Sequence, residues 1–364
     1  MRPWEGRRFK MGVLIALAAS WGGLSEAVWA ADHYVRLDWT NPVPPYTSWE
    51  TAASNDIQAA VSEAAKTLGT VWVGDGRYDL TNQIVITNAI TLRGLNGYSN
   101  AVINGNWPDY TNRCILITNN AAATLWGLTI SNGYANESSG GGVYLSGPAT
   151  VRQCRIVNNR AYYPVDPGIA ANAGGGGVYM LGGPRLLESI VRDNRTVYGS
   201  NTDHRIFGGG IYLAAGGLIS NCLIEGNANA LERPSIRGGG GVYMAGSGLI
   251  VGSTFIGNQD RRSGSGAFLY HTGAIISNSS FVGNSYPGAS RDSAVELGAG
   301  GQLVNCLIVS NAQGVYFSGG NSAAIMRNCT VADHSSRGIF IVNTNNAASF
   351  VDNNIVFDNS PDLD

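Results

Sequence analysis

One recurring strand motif places Tyr144, Tyr179, Tyr212, Tyr243, Phe268, Glu296, Tyr316 and Phe340 at equivalent positions. Rings stacked in a column offer apolar faces on which sugar rings pack, and Glu296 adds the column's one carboxylate. The segments leading into these strands supply polar groups for a hydroxylated ligand: Asp166, Asp203, His204, Glu232, Arg233, Asp260 and Arg261. Glu296 and His271, about one repeat apart, are the types needed for an acid and a base at a glycosidic bond, although nothing in the spacing fixes their separation. A second reading of the same ladder is structural. Cross-strand aromatic pairs stabilise a sheet by ~0.2–1 kcal/mol each, so the column could simply shield a sheet under its loops. A degenerate repeat with a solvated carboxylate would likewise account for Glu296.

Other chemistry is poorly supplied. No HExxH, GxSxG, P-loop or EF-hand pattern occurs. Lys10 and Lys66 are the only lysines, which argues against lysine catalysis. A net charge of −2 gives no electrostatic case for nucleic acid or for an anionic membrane surface. The five cysteines are odd in number and show no CxxC or neighbouring His, so neither a metal nor a cofactor is expected.

These residues are positioned by a repeat. Gly followed by apolar, aromatic, apolar appears as GVYL at 142, GVYM at 177, GIYL at 210, GVYM at 241, GAFL at 266, GVYF at 314 and GIFI at 338, with AVEL at 294 as a degenerate copy. A second motif ending in Asn alternates with it: CRIVNN (154–159), SIVRDN (189–194), CLIEGN (222–227), STFIGN (253–258), SSFVGN (279–284), CLIVSN (306–311) and NIVFDN (354–359), with CTVADH ending in His334 and GLTISN (127–132) as an earlier copy. The period-2 pattern turns Val178 and Met180 inward and Tyr179 outward. Leu186, Ile219, Ile250 and their equivalents form one inward column; Val191, Ile224 and Phe255 begin another. Three short strands per repeat, with no room for helices, specify one coil of a parallel β-helix. Cys154, Cys222, Cys306 and Cys329 share a position held elsewhere by Ser, which predicts a tight inward slot. The Asn before many of these positions, such as Asn221, Asn278 and Asn305, should make the preceding bend in left-handed geometry.

The chain divides into three. Residues 1–30 carry a basic start (Arg7, Arg8, Lys10), a short apolar run and small residues before Ala31, and so form a secretory signal peptide. A lead-in segment follows at 31–53, then a β-helix over 54–364 that opens with a capping helix at 54–68. Ile57, Val61, Ala64 and Leu68 share one face of that helix, and Ser54 or Asn55 can cap it. The mature segment is expected to be secreted or displayed at the cell surface, without membrane insertion. The sequence stops just after a repeat motif, so its C-terminal end is read as uncapped or as part of a longer protein.

The helix followed by TVWVGDGRY, ITLRG and AVINGN resembles the entry of right-handed parallel β-helix proteins of the pectin lyase-like superfamily. The glycine-apolar and FxxN patterns (Phe255 to Asn258, Phe281 to Asn284) resemble repeats of chlamydial polymorphic outer membrane proteins, which are surface adhesins. The resemblance spans roughly residues 50–360 and implies an all-β, single-stranded, right-handed parallel β-helix. It does not choose among lyases, hydrolases, epimerases and adhesins. NTD at 201–203 resembles the start of the polygalacturonase signature without its downstream parts. RPSIR at 233–237 resembles a pectate lyase arginine motif at the wrong spacing. DPG at 166–168 does not replace the epimerase tetrad. Two functions stay open: a carbohydrate-associated β-helix that binds or cleaves an extracellular polysaccharide or host-cell glycan, and a non-enzymatic adhesin or structural passenger solenoid.

Overall fold

A computed structural model describes residues 30–163, 173–198, 206–229, 238–262, 264–288, 291–319, 324–342 and 349–360. The signal peptide reading falls outside the described residues. Among the described residues, parallel strands stack into three long sheets of 13, 11 and 10 strands, with a fourth ladder of five and a small pair. One coil runs, for example, from Thr150–Arg152 in the first sheet through Arg155–Val157 in the second and Arg160–Tyr163 in the fourth to Val178–Leu181 in the third. Like residues therefore lie over like: Val151 on Leu186, Ile156 on Val191, Val143 on Val178.

The predicted inward columns form the core. Leu186, Ile219, Ile250, Val191, Ile224 and Phe255 are fully buried, and Phe255 stacks on Phe281 at 4.3 Å. Val178 and Met180 are buried while Tyr179 faces outward, half-buried. The bends follow from Asn221, Asn278, Asn305, Asn328 and Asn353, all in the left-handed region with φ of 48° to 55°. The cysteine slot is small, and it also needs an acceptor. The backbone N–H of Cys154 donates to Ser189 Oγ (3.1 Å), that of Cys222 to Ser253 Oγ (3.2 Å), and that of Cys306 to Cys329 Sγ (3.4 Å). Both Ser and Cys meet that demand, which is why they interchange.

The residues ending the second motif line an interior seam. Asn159, Asn194, Asn227, Asn258 and Asn284 are buried, each taking hydrogen bonds from the coil before. The glycine run 174–177 is shaped by this seam. Gly175 has φ of +68°, and a Cβ on Gly177 would lie 2.9 Å from the Asn194 amide. GLTISN is a copy shifted by one residue, because Ile130 pairs with Ile156. Asn132 therefore corresponds to Asn158, and Gly133 takes the seam position, donating its N–H to Asn159 Oδ1 at 2.9 Å.

Two details at the N-terminal end differ from expectation. The helix spans Ile57–Thr67 and is capped by Asp56, whose carboxylate accepts from the Ala59 N–H at 2.9 Å, rather than by Ser54 or Asn55. Ile57, Ala60, Val61 and Ala64 are its buried residues; Leu68 sits at the left-handed C-cap and is 57% exposed. The lead-in segment is already part of the solenoid: Asp32–Arg36 pairs in parallel with Thr70–Val73. The helix closes the first strand of the third sheet through Gln58, which accepts from the Val85 N–H at 2.7 Å and donates to its carbonyl at 3.3 Å. No helix among the described residues is long and apolar enough to cross a membrane.

Candidate functional site

The aromatic column exists in register. Tyr144, Tyr179, Tyr212, Tyr243, Phe268, Glu296, Tyr316 and Phe340 follow one another across the third sheet. Its rings touch: Tyr144 and Tyr179 stack at 4.7 Å, and Tyr243 meets Phe268 edge-on at 5.3 Å. Most of the column is nevertheless covered. Tyr212 and Tyr243 are buried beneath Phe207, which stacks on Tyr243 at 4.4 Å, and Phe268 is buried against Tyr243 and Tyr270. Phe207 belongs to the short strand Ile206–Phe207, which returns the chain over the column. Glu296 and Tyr316 are also buried, with the Arg291 guanidinium 5.2 Å over the Tyr316 ring. The expected open floor is thus corrected for Tyr212, Tyr243, Phe268, Glu296 and Tyr316. Tyr144 and Tyr179 at one end of the column, and Phe340 at the other with the Arg337 guanidinium 4.6 Å over its ring, are half-exposed.

The predicted loop contacts divide similarly. Asp166, Asp203, His204, Glu232 and Arg233 lie outside the described residues. Asp260 is fully buried and belongs to the fourth ladder instead of a ligand-facing loop. Its carboxylate accepts from Asn229 Nδ2 (2.7 Å) and from the Arg262 N–H (2.7 Å), and Asn229 in turn accepts from Thr196 Oγ1 (2.5 Å). Arg261 is half-buried beside it. His271 is exposed and turned in on its own loop, accepting from the Gly273 N–H at 2.9 Å, so burial separates the environments of His271 and Glu296.

A titratable group that motif reading missed lies nearby. Burial pushes the Asp292 carboxyl up to about 6, although it accepts from the Tyr286 N–H (2.8 Å) and Ser265 Oγ (3.3 Å). Both hydrogen bonds brace loops, and this is the role the geometry gives it.

A cleft opens at the N-terminal end of the column. The Arg113 guanidinium sits 5.1 Å over Tyr144 and donates to Ser138 Oγ. Burial presses its pKa below the ordinary value, partly offset by Tyr144. Beside it runs a second, half-exposed aromatic ladder in which Trp107 stacks on Tyr134, and Tyr134 on Tyr162, each at 5.8 Å. Arg160 covers Trp107 at 3.7 Å. A cleft of about 240 Å³ joins the two, lined by Asn82, Gln83, Asn112, Arg113, Tyr134 and Asn136. Asn112 is fixed by its bond to the Thr81 carbonyl (2.7 Å), and its own carbonyl accepts from the Tyr134 N–H (2.8 Å). Amide groups, one guanidinium and ring edges are a hydrogen-bonding set for a hydroxylated ligand, and the volume suits one unit of a longer chain. The sequence signal was the alternation in RCILI and GYANES, which carries no repeat signature.

Comparison with known proteins agrees with the fold. The family described as the right handed beta helix region matches residues 95–290 and 240–361, together well over half of the chain. No curated protein matches. Among solved structures, the chain is similar to the A-module of the mannuronan C-5 epimerase AlgE4 of Azotobacter vinelandii, at 13% identity and a TM-score of 0.40, covering 85% of this chain and 92% of that one. It is also similar to a mannuronic acid specific polysaccharide family 6 lyase from human gut microbiota, at 13% identity and a TM-score of 0.38, covering 85% of this chain and 66% of that one.

Proposed function

The chain belongs to the right-handed beta helix family, and on that footing we propose that it is an extracytoplasmic glycan-binding solenoid whose binding surface is the open N-terminal end of the aromatic column. The observation that carries this reading is the Arg113 cleft, where a guanidinium held over Tyr144 shares the lining with the fixed Asn112 amide and Tyr134. Sugar hydroxyls pair with such amides, while ring edges and faces exclude water around them. The leader-like first thirty residues support secretion or surface display.

Affinity electrophoresis of the chain from Ala31 through gels containing neutral and acidic polysaccharides tests the reading. Retention by at least one polysaccharide, weakened by Arg113→Ala and by Tyr134→Ala with unchanged far-UV circular dichroism, is expected. No retention on any of them would overturn it. The burial of Tyr212, Tyr243 and Phe268 favours a second reading, a structural or adhesive passenger solenoid, for which the same gels show no retardation and no new reducing or unsaturated ends.

A further inference from the structure

The outer face of the first sheet carries a stack that the glycan reading does not use. Trp72, Arg93, Trp126 and Arg152 are register partners on four successive strands. The Arg93 guanidinium lies 4.6 Å from the Trp72 ring centre and 3.7 Å from that of Trp126, and Arg152 lies 4.6 Å from Trp126. Each Trp126 face therefore meets an arginine, which alone would clamp three coils together.

The two arginines are not equivalent. Arg152 approaches Glu188 at 3.9 Å. Glu188 also accepts from Gln153 Nε2 (2.9 Å), and Gln153 accepts from the Trp126 indole (2.8 Å). Arg93 has no carboxylate and no hydrogen-bond acceptor among the described residues. It lines a cleft of about 600 Å³ together with Asn96, Tyr98, Trp126, Gln153 and Glu188. A further carboxylate, Asp75, is engaged by the Asn96 amide at 2.9 Å and does not line the cleft.

A guanidinium flanked by rings keeps its in-plane N–H groups for an acceptor, and its fork matches an oxyanion. Arg152, outside the lining, offsets Glu188, which leaves the Arg93 guanidinium as the uncompensated positive charge of the cleft. We propose that Arg93 is the anchor of a binding site for a singly charged, hydroxylated ligand: a sugar bearing one carboxylate or one sulfate ester, its hydroxyls taken by Glu188 and Gln153. The site stands on a different sheet from the Arg113 cleft and does not depend on it.

Trp72 and Trp126 provide the readout. Tryptophan emission of the full chain is titrated with glucuronic acid, galactose 6-sulfate and glucose. A saturable change is expected with glucuronic acid, with the sulfate ester, or with both, and the arm that responds identifies the anion. The change should weaken as salt rises. Arg93→Gln should abolish it, and Arg93→Lys should raise Kd by roughly tenfold, since the charge stays and the fork is lost. Arg113→Ala should leave the titration unchanged, which separates this site from the other. Thermal unfolding of each variant shows whether it has folded, and Arg93→Lys keeps the comparison usable if Arg93→Gln has not. An equal response to glucose, no response to either anion, or an unaltered response in Arg93→Gln would overturn the proposal and leave the stack as a clamp between coils.

Discussion

Asn194 Oδ1 accepts two hydrogen bonds from Asn159, one from its backbone N–H and one from its Nδ2, both at 3.0 Å. The same pair of bonds recurs between Asn194 and Asn227, and between Asn227 and Asn258. Each Nδ2 also donates to a carbonyl of the preceding coil, Ile130 for Asn159 and Ile156 for Asn194. One side chain per coil thus satisfies polar groups that the turn would otherwise bury unpaired.

Asn227→Ala tests this seam. The substitution removes the acceptor of the Asn194 N–H and Nδ2 and the donor to the Val191 carbonyl. Each buried group left unpaired costs about 1–3 kcal/mol, so a loss of roughly 2–4 kcal/mol is expected in urea unfolding. A loss below about 1 kcal/mol would show that water or a shifted turn replaces the bonds.

His334 occupies the seam position next to Asn311, and its ring makes stability depend on pH. Nδ1 accepts from the Asn311 N–H at 3.1 Å, and Nε2 is buried with no hydrogen-bond partner among the described residues. Burial lowers its pKa below the ordinary 6.5, against smaller opposing effects of the Asn311 backbone and Asp333. The unfolded chain therefore binds this proton more readily. The stabilisation is complete above about pH 6.5 and is lost as pH falls below it toward the folded value. The raised carboxyl of Asp292 acts oppositely at lower pH, because there the folded state holds the proton more tightly. It is common to wild type and His334→Asn, so the difference between their melting curves isolates His334. The variant should lose less stability between pH 7.5 and 5; equal losses would refute the assignment.

What the sequence made legible was whatever repeats at fixed spacing. Val191, Ile224 and Phe255 showed the core by alternation, and Asn221 and Asn278 showed the bends because only a few residues tolerate left-handed backbone. The seam asparagines were visible as a motif but not as interior groups. An Asn beside a turn has the same pattern whether its amide faces solvent or the next coil, and the shift between Asn132 and Gly133 appears only once strands are paired. The covering of Tyr243 was illegible for a different reason: Phe207 arrives from the segment of variable length, outside any period. The Arg113 cleft and the Trp72–Arg93–Trp126 stack likewise join residues on successive coils in the early, less regular repeats.

The cysteines should be inert in the folded protein. All five are buried and unpaired, and burial pushes the thiols of Cys114 and Cys154 up to about 12 and that of Cys222 to about 11. Thiolate is the reactive form, so little is present at these three positions at pH 8, and at Cys329, whose pKa the neighbouring Cys306 lowers, burial keeps the reagent out. A chromogenic disulfide reagent should label almost nothing in the native chain and all five thiols in denaturant. A thiol that reacts within seconds under native conditions would contradict the packing of the slot.

Tyr144 and Tyr243 separate the two uses of the aromatic column. Tyr243 is 1% exposed and touches Tyr212, Phe207, Phe268 and Tyr270, whereas Tyr144 is half-buried with Arg113 over its ring. Truncating a buried aromatic removes its transfer energy and leaves a cavity, so Tyr243→Ala should cost about 3–5 kcal/mol. Tyr144→Ala should cost less than half of that, because water reaches the vacated space. Glycan affinity should move the other way, weakened by Tyr144→Ala through the loss of the ring that supports Arg113, and unchanged in folded Tyr243→Ala. Denaturant unfolding and affinity electrophoresis on the two variants measure both effects. If Tyr243→Ala alone abolished retention while still folded, the column beneath Phe207 would have to open to ligand, and the placement of the binding surface at Arg113 would be wrong.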